Sequence, residues 1–238
     1  MKFLFIIFFM ILTHFDAFAQ DENFGVEESE KRYFSEQIYR YYSEFKEKSN
    51  RAFSLGKRQE AYFYYKQLID EHLVGSYMDN FNATCLSNSN CQIQDFQKPL
   101  ILLTYASWNV PTKGEVPALN NLAKKYKDQV DFAVIFWDEK KDAIEAAKIY
   151  NKYIEILYVD ELKNKDAYTV KMLKHSLGFP TIYVLGSNKK ILQIKSNPQN
   201  DWNLADDEAI KNSIDEFNSL VEQIQLFEDK IIADTSLD

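Results

Sequence analysis

The chain has 238 residues, a formal charge of −8 and 46% apolar residues, which suits one medium globular domain with extensions. The acidic balance, with no basic cluster read as offsetting it locally, argues against a nucleic-acid partner. Six glycines, none grouped into a phosphate-cradling loop, argue against a nucleotide ligand.

Met1 to Ala19 reads as a secretory leader. Lys2 gives the positive start, Phe3 to Leu12 the apolar run, and Ala17-Phe18-Ala19 the small-x-small cleavage pattern. The run is shorter than the about 20 residues that span a bilayer, and an uncleaved anchor is the rival reading. No cysteine follows it, which speaks against lipid modification. The mature chain would begin near Gln20 as a soluble secreted or periplasmic product, with no stable membrane insertion. Residues 20–74 form a helical extension. Phe34, Ile38, Tyr41 and Phe45 mark one helix face, Gly56 interrupts, and Ala61, Tyr65, Leu68 and Leu73 continue a second helix. The pair is faintly reminiscent of a tetratricopeptide unit, but a single unit cannot bury its own face. A hairpin packed on the main domain is expected, with peptide binding by the hairpin as the alternative.

Cys85 and Cys91 flank a turn-forming stretch, Ser87 to Asn90. In an oxidising compartment such a pair suggests a disulfide closing a hairpin. A relocated redox pair and two unpaired thiols are the other readings, and the site lacks the helix N-terminus and cation that lower a thiol pKa. Asn82-Ala83-Thr84 is an N-glycosylation pattern, meaningful only in a host that glycosylates.

The chain's centre is the stretch from Leu100 to Tyr126. An unbroken apolar run, Leu100 to Leu103, reads as a strand buried on both faces. A turn follows, Ala106 to Thr112, and then a helix with Val116, Leu119, Leu122 and Ala123. A helix N-terminus placed there would stabilise an anion such as a thiolate, yet Trp108 to Thr112 holds no ionisable group.

The run Tyr105-Ala106-Ser107-Trp108, followed in register by Lys113, Glu115 and Pro117-Ala118-Leu119, resembles the active-site region of the thioredoxin superfamily, most of all its secreted TlpA-like branch. The two cysteine positions of that family's Cys-x-x-Cys fall on Asn109 and Thr112, and its buried acid on Leu103. Gly178-Phe179-Pro180-Thr181 resembles the family's Gly-x-Pro-Thr loop. The resemblance implies a cis Pro180 facing the turn, with a β-hairpin after it, Ile182 to Leu185 and Lys190 to Ile194. It also marks the stretch from Gly75 to Gln97 as an entry segment of two short strands. The fold implied is α/β, a thioredoxin fold with a mixed central sheet and flanking helices over residues 75–203. An N-terminal helical hairpin precedes it, and a long C-terminal helix and tail, residues 204–238, follow.

Val130 to Trp137 reads as a strong strand, Ile144, Ala147 and Ile149 as a helix, Ile154 to Val159 as a strand, and Tyr168 to Leu177 as a helix capped by Gly178. His72 and His175 have no carboxylate or cysteine at metal-ligand spacing, so neither a metal nor a cofactor is expected. In the last helix, Asp206 to Ile232, Ile210, Ile214, Phe217, Val221 and Ile224 recur near a 3.5 period. We expect that row to pack on the N-terminal hairpin; a coiled-coil seam joining two copies as a homodimer is the alternative.

Dithiol exchange needs a nucleophilic thiolate and a resolving sulfur, and Asn109 and Thr112 supply neither. The reading is therefore a thioredoxin-like module that binds an extracytoplasmic protein or peptide without catalysis. Trp108, Asn109, Thr112, Phe179 and Pro180 would form the binding surface, by strand addition beside the proline. The alternatives are a thiol–disulfide oxidoreductase working through Cys85 and Cys91, and a structural assembly subunit.

Overall fold

A computed structural model describes residues 31–87, 91–160, 162–164, 166–196 and 203–235. The expected leader and the Asn88 to Asn90 turn lie outside the described residues.

The elements run β1 (Asn82–Cys85), β2 (Cys91–Gln92), β3 (Leu100–Tyr105), β4 (Asp131–Phe136), β5 (Ile154–Tyr158), β6 (Thr181–Leu185) and β7 (Ile191–Ser196), with helices α1 (Phe34–Ser54), α2 (Arg58–Leu68), α3 (Glu115–Lys125), α4 (Lys140–Ala147), α5 (Ala167–His175) and α6 (Asp206–Thr235). A single π-helical turn, Ile69–Leu73, extends α2. The sheet order is β2-β1-β5-β4-β3-β6-β7. β3, β4 and β5 are parallel, β6 runs antiparallel to β3, and β7 turns back antiparallel to β6. This is a thioredoxin fold, with the mixed sheet, the N-terminal helical pair and the long C-terminal helix expected from the sequence.

The sheet is covered on both faces, which explains the continuous apolar runs. Every residue of β3 is buried. Because successive side chains alternate across a strand, Leu100 and Leu102 join the cluster formed with α1, the π-helical turn and α5, through Phe34, Ile38, Leu73 and Leu173. Ile101, Leu103 and Tyr105 join the opposite cluster, with Leu119 and Leu122 of α3 and Phe217, Leu220 and Val221 of α6.

That division corrects one expectation. The apolar row of α6 packs on α3 and the sheet, on the face away from the hairpin. Tyr126 reinforces the contact by donating to Asn218 at 3.1 Å. An amphipathic stripe says that a face is buried but not against what, and α1 and α2 already occupy the other face of the sheet. The sequence also read Ile144, Ala147 and Ile149 as one helix, and α4 ends at Ala147, short of Ile149. Ile144 and Ile149 are 44% and 50% exposed, and the residue of α4 that enters the core is Ala143.

Candidate functional site

β3 delivers the chain to the edge of the core at Tyr105, where it turns. Ser107 is held to the loop after β4: its N–H and its hydroxyl both donate to Asp138, at 2.6 and 2.8 Å. The turn closes on itself through Asn109, whose N–H donates to the Ala106 carbonyl at 2.9 Å. In return the Asn109 Oδ1 accepts the Ala106 N–H at 3.1 Å. The amide at the first cysteine position is thus consumed in pinning its own turn.

The helix after the turn starts later than expected. α3 begins at Glu115, with Gly114 as N-cap at φ +93°, so Asn109 does not stand at a helix N-terminus. The reason is local. Pro111 has no N–H and keeps Val110 out of the helical region, and Gly114 then takes a left-handed conformation closed to most residues. A Cβ at Gly114 would meet the Ala209 backbone of α6 at 2.5 Å. Lys113 fastens the same corner by donating to the Leu204 carbonyl and to Asp206, both at 2.7 Å.

Beneath the turn lies a group the sequence did not single out for burial. Glu115 is 1% exposed; one carboxylate oxygen accepts the Tyr105 hydroxyl, and the other accepts the Thr112 hydroxyl at 3.1 Å. Burial pushes its pKa above the ordinary carboxylate range, against the lowering effect of those two hydrogen bonds. Tyr105 is pushed up in turn by burial and by the neighbouring Glu115 charge. Thr112, at the second cysteine position, is therefore committed to the glutamate below. The only sequence signal for Glu115 was its match to the family pattern, because a glutamate in a first helical turn ordinarily reads as an exposed complement to the helix dipole.

The second half of the site arrives from β6. Thr104 pairs with Thr181, and the Thr104 hydroxyl donates to the Thr181 carbonyl at 3.2 Å while accepting its N–H at 3.3 Å. Continuing that register one residue brings Pro180 opposite Tyr105, at the root of the turn. The Phe179–Pro180 peptide bond is cis, as the resemblance implied. Trp108 meets Phe179 edge to face, ring centroids 6.5 Å apart. Trp108 and Val110 remain 73% and 71% exposed, while Asn109, Thr112, Phe179 and Pro180 are half-buried.

The hairpin of α1 and α2 holds the segment leading into this loop. Tyr42 donates to the His175 carbonyl at 3.5 Å, and Tyr65 donates to the Leu177 carbonyl at 3.3 Å. Burial pushes the Tyr65 hydroxyl up to about 12. Nothing in the sequence tied these tyrosines to residues more than a hundred positions away.

The two cysteines stand elsewhere. Cys85 and Cys91 form a disulfide across the β1–β2 hairpin, with Cα atoms 5.7 Å apart. They are 6% and 8% exposed, within the cluster beneath α1 and α5. Asn82, of the glycosylation pattern, uses its amide at both ends, donating to Asp166 at 2.7 Å and accepting from Gln92 at 2.9 Å. It borders a polar cavity of about 720 Å³ at the ends of β1 and β5, walled also by Glu139, Lys140 and Asp160. None of the five expected binding residues lines that cavity. Among the described residues, no three of His, Cys, Asp and Glu converge on a point that could hold a metal ion.

No protein-family model matches the sequence, and no curated protein sequence matches it. Solved structures similar to it include the thioredoxin domain of a thiol-disulfide oxidoreductase from Bacteroides vulgatus, at 17% identity and TM-score 0.46, covering 60% of this chain and 96% of that one. A thio-disulfide isomerase from Thermus thermophilus matches at 19% identity and TM-score 0.43, covering 59% and 94%. A secreted disulfide oxidoreductase of Mycobacterium tuberculosis matches at 19% identity and TM-score 0.41, covering 56% and 93%.

Proposed function

We propose that this chain is a non-catalytic thioredoxin-fold binding module that holds an extended segment of an extracytoplasmic protein or peptide at the turn after β3. One observation carries the reading. The side chains at both cysteine positions are spent inside the protein, Asn109 on the Ala106 N–H and Thr112 on Glu115, while Val110 faces solvent and Trp108 does so beside Phe179. Neither an amide nor an alcohol can supply the thiolate or the second sulfur of dithiol exchange. Exposed aromatic side chains on an otherwise pinned turn are the kind of anchor on which binding energy concentrates. The extracytoplasmic setting rests on the leader pattern of residues 1–19; no helix among the described residues is long and apolar enough to cross a membrane.

The test joins two measurements. The purified protein is expected to leave insulin disulfides intact in the presence of dithiothreitol at the uncatalysed rate. Peptides selected from an extended-peptide library are expected to lose about tenfold in affinity on Trp108→Ala or Phe179→Ala. Catalysed reduction of insulin, or full affinity in both variants, overturns the reading. Exchange through Cys85 and Cys91 would require a thiolate to reach sulfurs that are almost fully buried; trapping a mixed disulfide with Cys91→Ser would establish it. Assembly through α6 is tested by Leu226→Glu with Ile232→Glu, both exposed, and light scattering. Removing the helix is no test of assembly, because Phe217, Leu220 and Val221 belong to the core.

A further inference from the structure

Near the connection between α1 and α2 three large apolar side chains are left exposed, with basic residues around them. The connection is tight: the Gly56 N–H donates to the Phe53 carbonyl and the Lys57 N–H to the Ala52 carbonyl, both at 3.0 Å. Ala52 and Ala61 are buried where the helices meet, yet Phe53 and Leu55 beside them are 63% and 64% exposed. Phe63 is 58% exposed and lies five residues beyond Arg58, about 7.5 Å along the α2 axis. A hairpin end is usually polar, so three large apolar side chains left in solvent there call for a partner.

The charges around the tip name its kind. Between residues 46 and 60 stand five basic residues, Lys46, Lys48, Arg51, Lys57 and Arg58, against Glu47 and Glu60, in a chain whose formal charge is −8. The five fall within residues 46–58, a local basic stretch that the overall acidic balance hides and that the hairpin folds back on itself at Gly56. Lys57 is paired with Glu60 and Lys48 with Glu44, but Arg51 and Arg58 are exposed and make no ion pair among the described residues.

We propose that this tip docks on the surface of an anionic phospholipid bilayer. Phe53, Leu55 and Phe63 would enter the boundary between headgroups and acyl chains, whose depth for interfacial helices is about 5–10 Å. Arg51, Lys57 and Arg58, on long flexible stems, reach the phosphates from the same level. Such docking needs no spanning segment.

The full mature chain is sedimented with vesicles of phosphatidylcholine alone or with one-quarter phosphatidylglycerol. Wild-type protein is expected to sediment with the anionic vesicles and to be released by salt. Phe53→Ser with Leu55→Ser is expected to weaken binding about tenfold. Arg51→Glu with Arg58→Glu should remove the preference for phosphatidylglycerol. All four side chains are exposed, so melting curves of both variants should overlay the wild type. Absence of wild-type sedimentation, equal binding to both vesicle types, or wild-type behaviour of both variants overturns the proposal. A tip that ignores vesicles is left to a protein partner.

Discussion

The turn after β3 and the β1–β2 hairpin divide between them what a dithiol enzyme combines in one place. The hairpin holds both sulfurs and hides them, at 6% and 8% exposure; the turn is open to solvent at Trp108 and Val110 and holds no sulfur. The two regions are also fastened by different means. A covalent bond closes the hairpin, whereas the turn depends on polar side chains and one close backbone approach: Ser107 on Asp138, Asn109 on Ala106, and Gly114 against Ala209. Accessibility, more than the residue inventory, decides what each region can do. Sulfur enclosed in a core can stabilise but cannot exchange, whereas an aromatic left at an edge is free to meet a partner.

Breaking the fastening of the turn should have the largest effect. Gly114→Val would demand a left-handed β-branched residue and drive a Cβ to 2.5 Å from the α6 backbone. Strain and overpacking together should cost about 3 kcal/mol or more, read as a lower urea midpoint. The hairpin's bond comes next. Replacing Cys85 and Cys91 by serine opens a very small loop and should cost about 2 kcal/mol, with peptide affinity at the turn unchanged. A loss of affinity would show that the two regions are coupled.

How much of this was legible depended on whether the deciding partner was local. β3 was legible because a strand buried on both faces must be apolar throughout, and Leu100 to Leu103 is. The cis Pro180 could be read only through family resemblance, since nothing in Gly-Phe-Pro-Thr itself fixes the isomer. The late start of α3 was implicit in Pro111 and Gly114, two local signals overruled by the family pattern. The side on which α6 packs was not legible, because an amphipathic row is the same whichever surface covers it. Nor was the burial of Glu115, which requires Tyr105 from a strand and Thr112 from a turn to meet over one carboxylate.

Glu115 gives the comparison a pH axis that the hairpin lacks. Its folded pKa is raised above the unfolded value, so the folded state binds the extra proton. The stability Glu115 contributes is fully present below about pH 4.5 and is lost as pH rises through the folded pKa. Glu115→Gln should therefore flatten the dependence of stability on pH above that point, measured by denaturant titration at a series of pH values. The cysteine double variant should keep the wild-type slope. An unchanged slope in Glu115→Gln would mean that Glu115 binds its proton equally well in the folded and unfolded states.

The smallest expected changes in stability sharpen the comparison most, because they separate recognition from support. Tyr65→Phe removes the hydroxyl shared between the Ser196 hydroxyl and the Leu177 carbonyl, the latter on the approach to Phe179 and Pro180, and should cost about 1 kcal/mol. Trp108→Ala touches a side chain that is 73% exposed and should stay within about 0.5 kcal/mol of wild type. Their ranking should reverse in peptide affinity, where Trp108→Ala loses about tenfold and Tyr65→Phe, acting only by letting the loop shift, loses less. If Tyr65→Phe instead abolished binding while Trp108→Ala left it intact, the hairpin would be the recognition element and the turn its support, the opposite of the division drawn above.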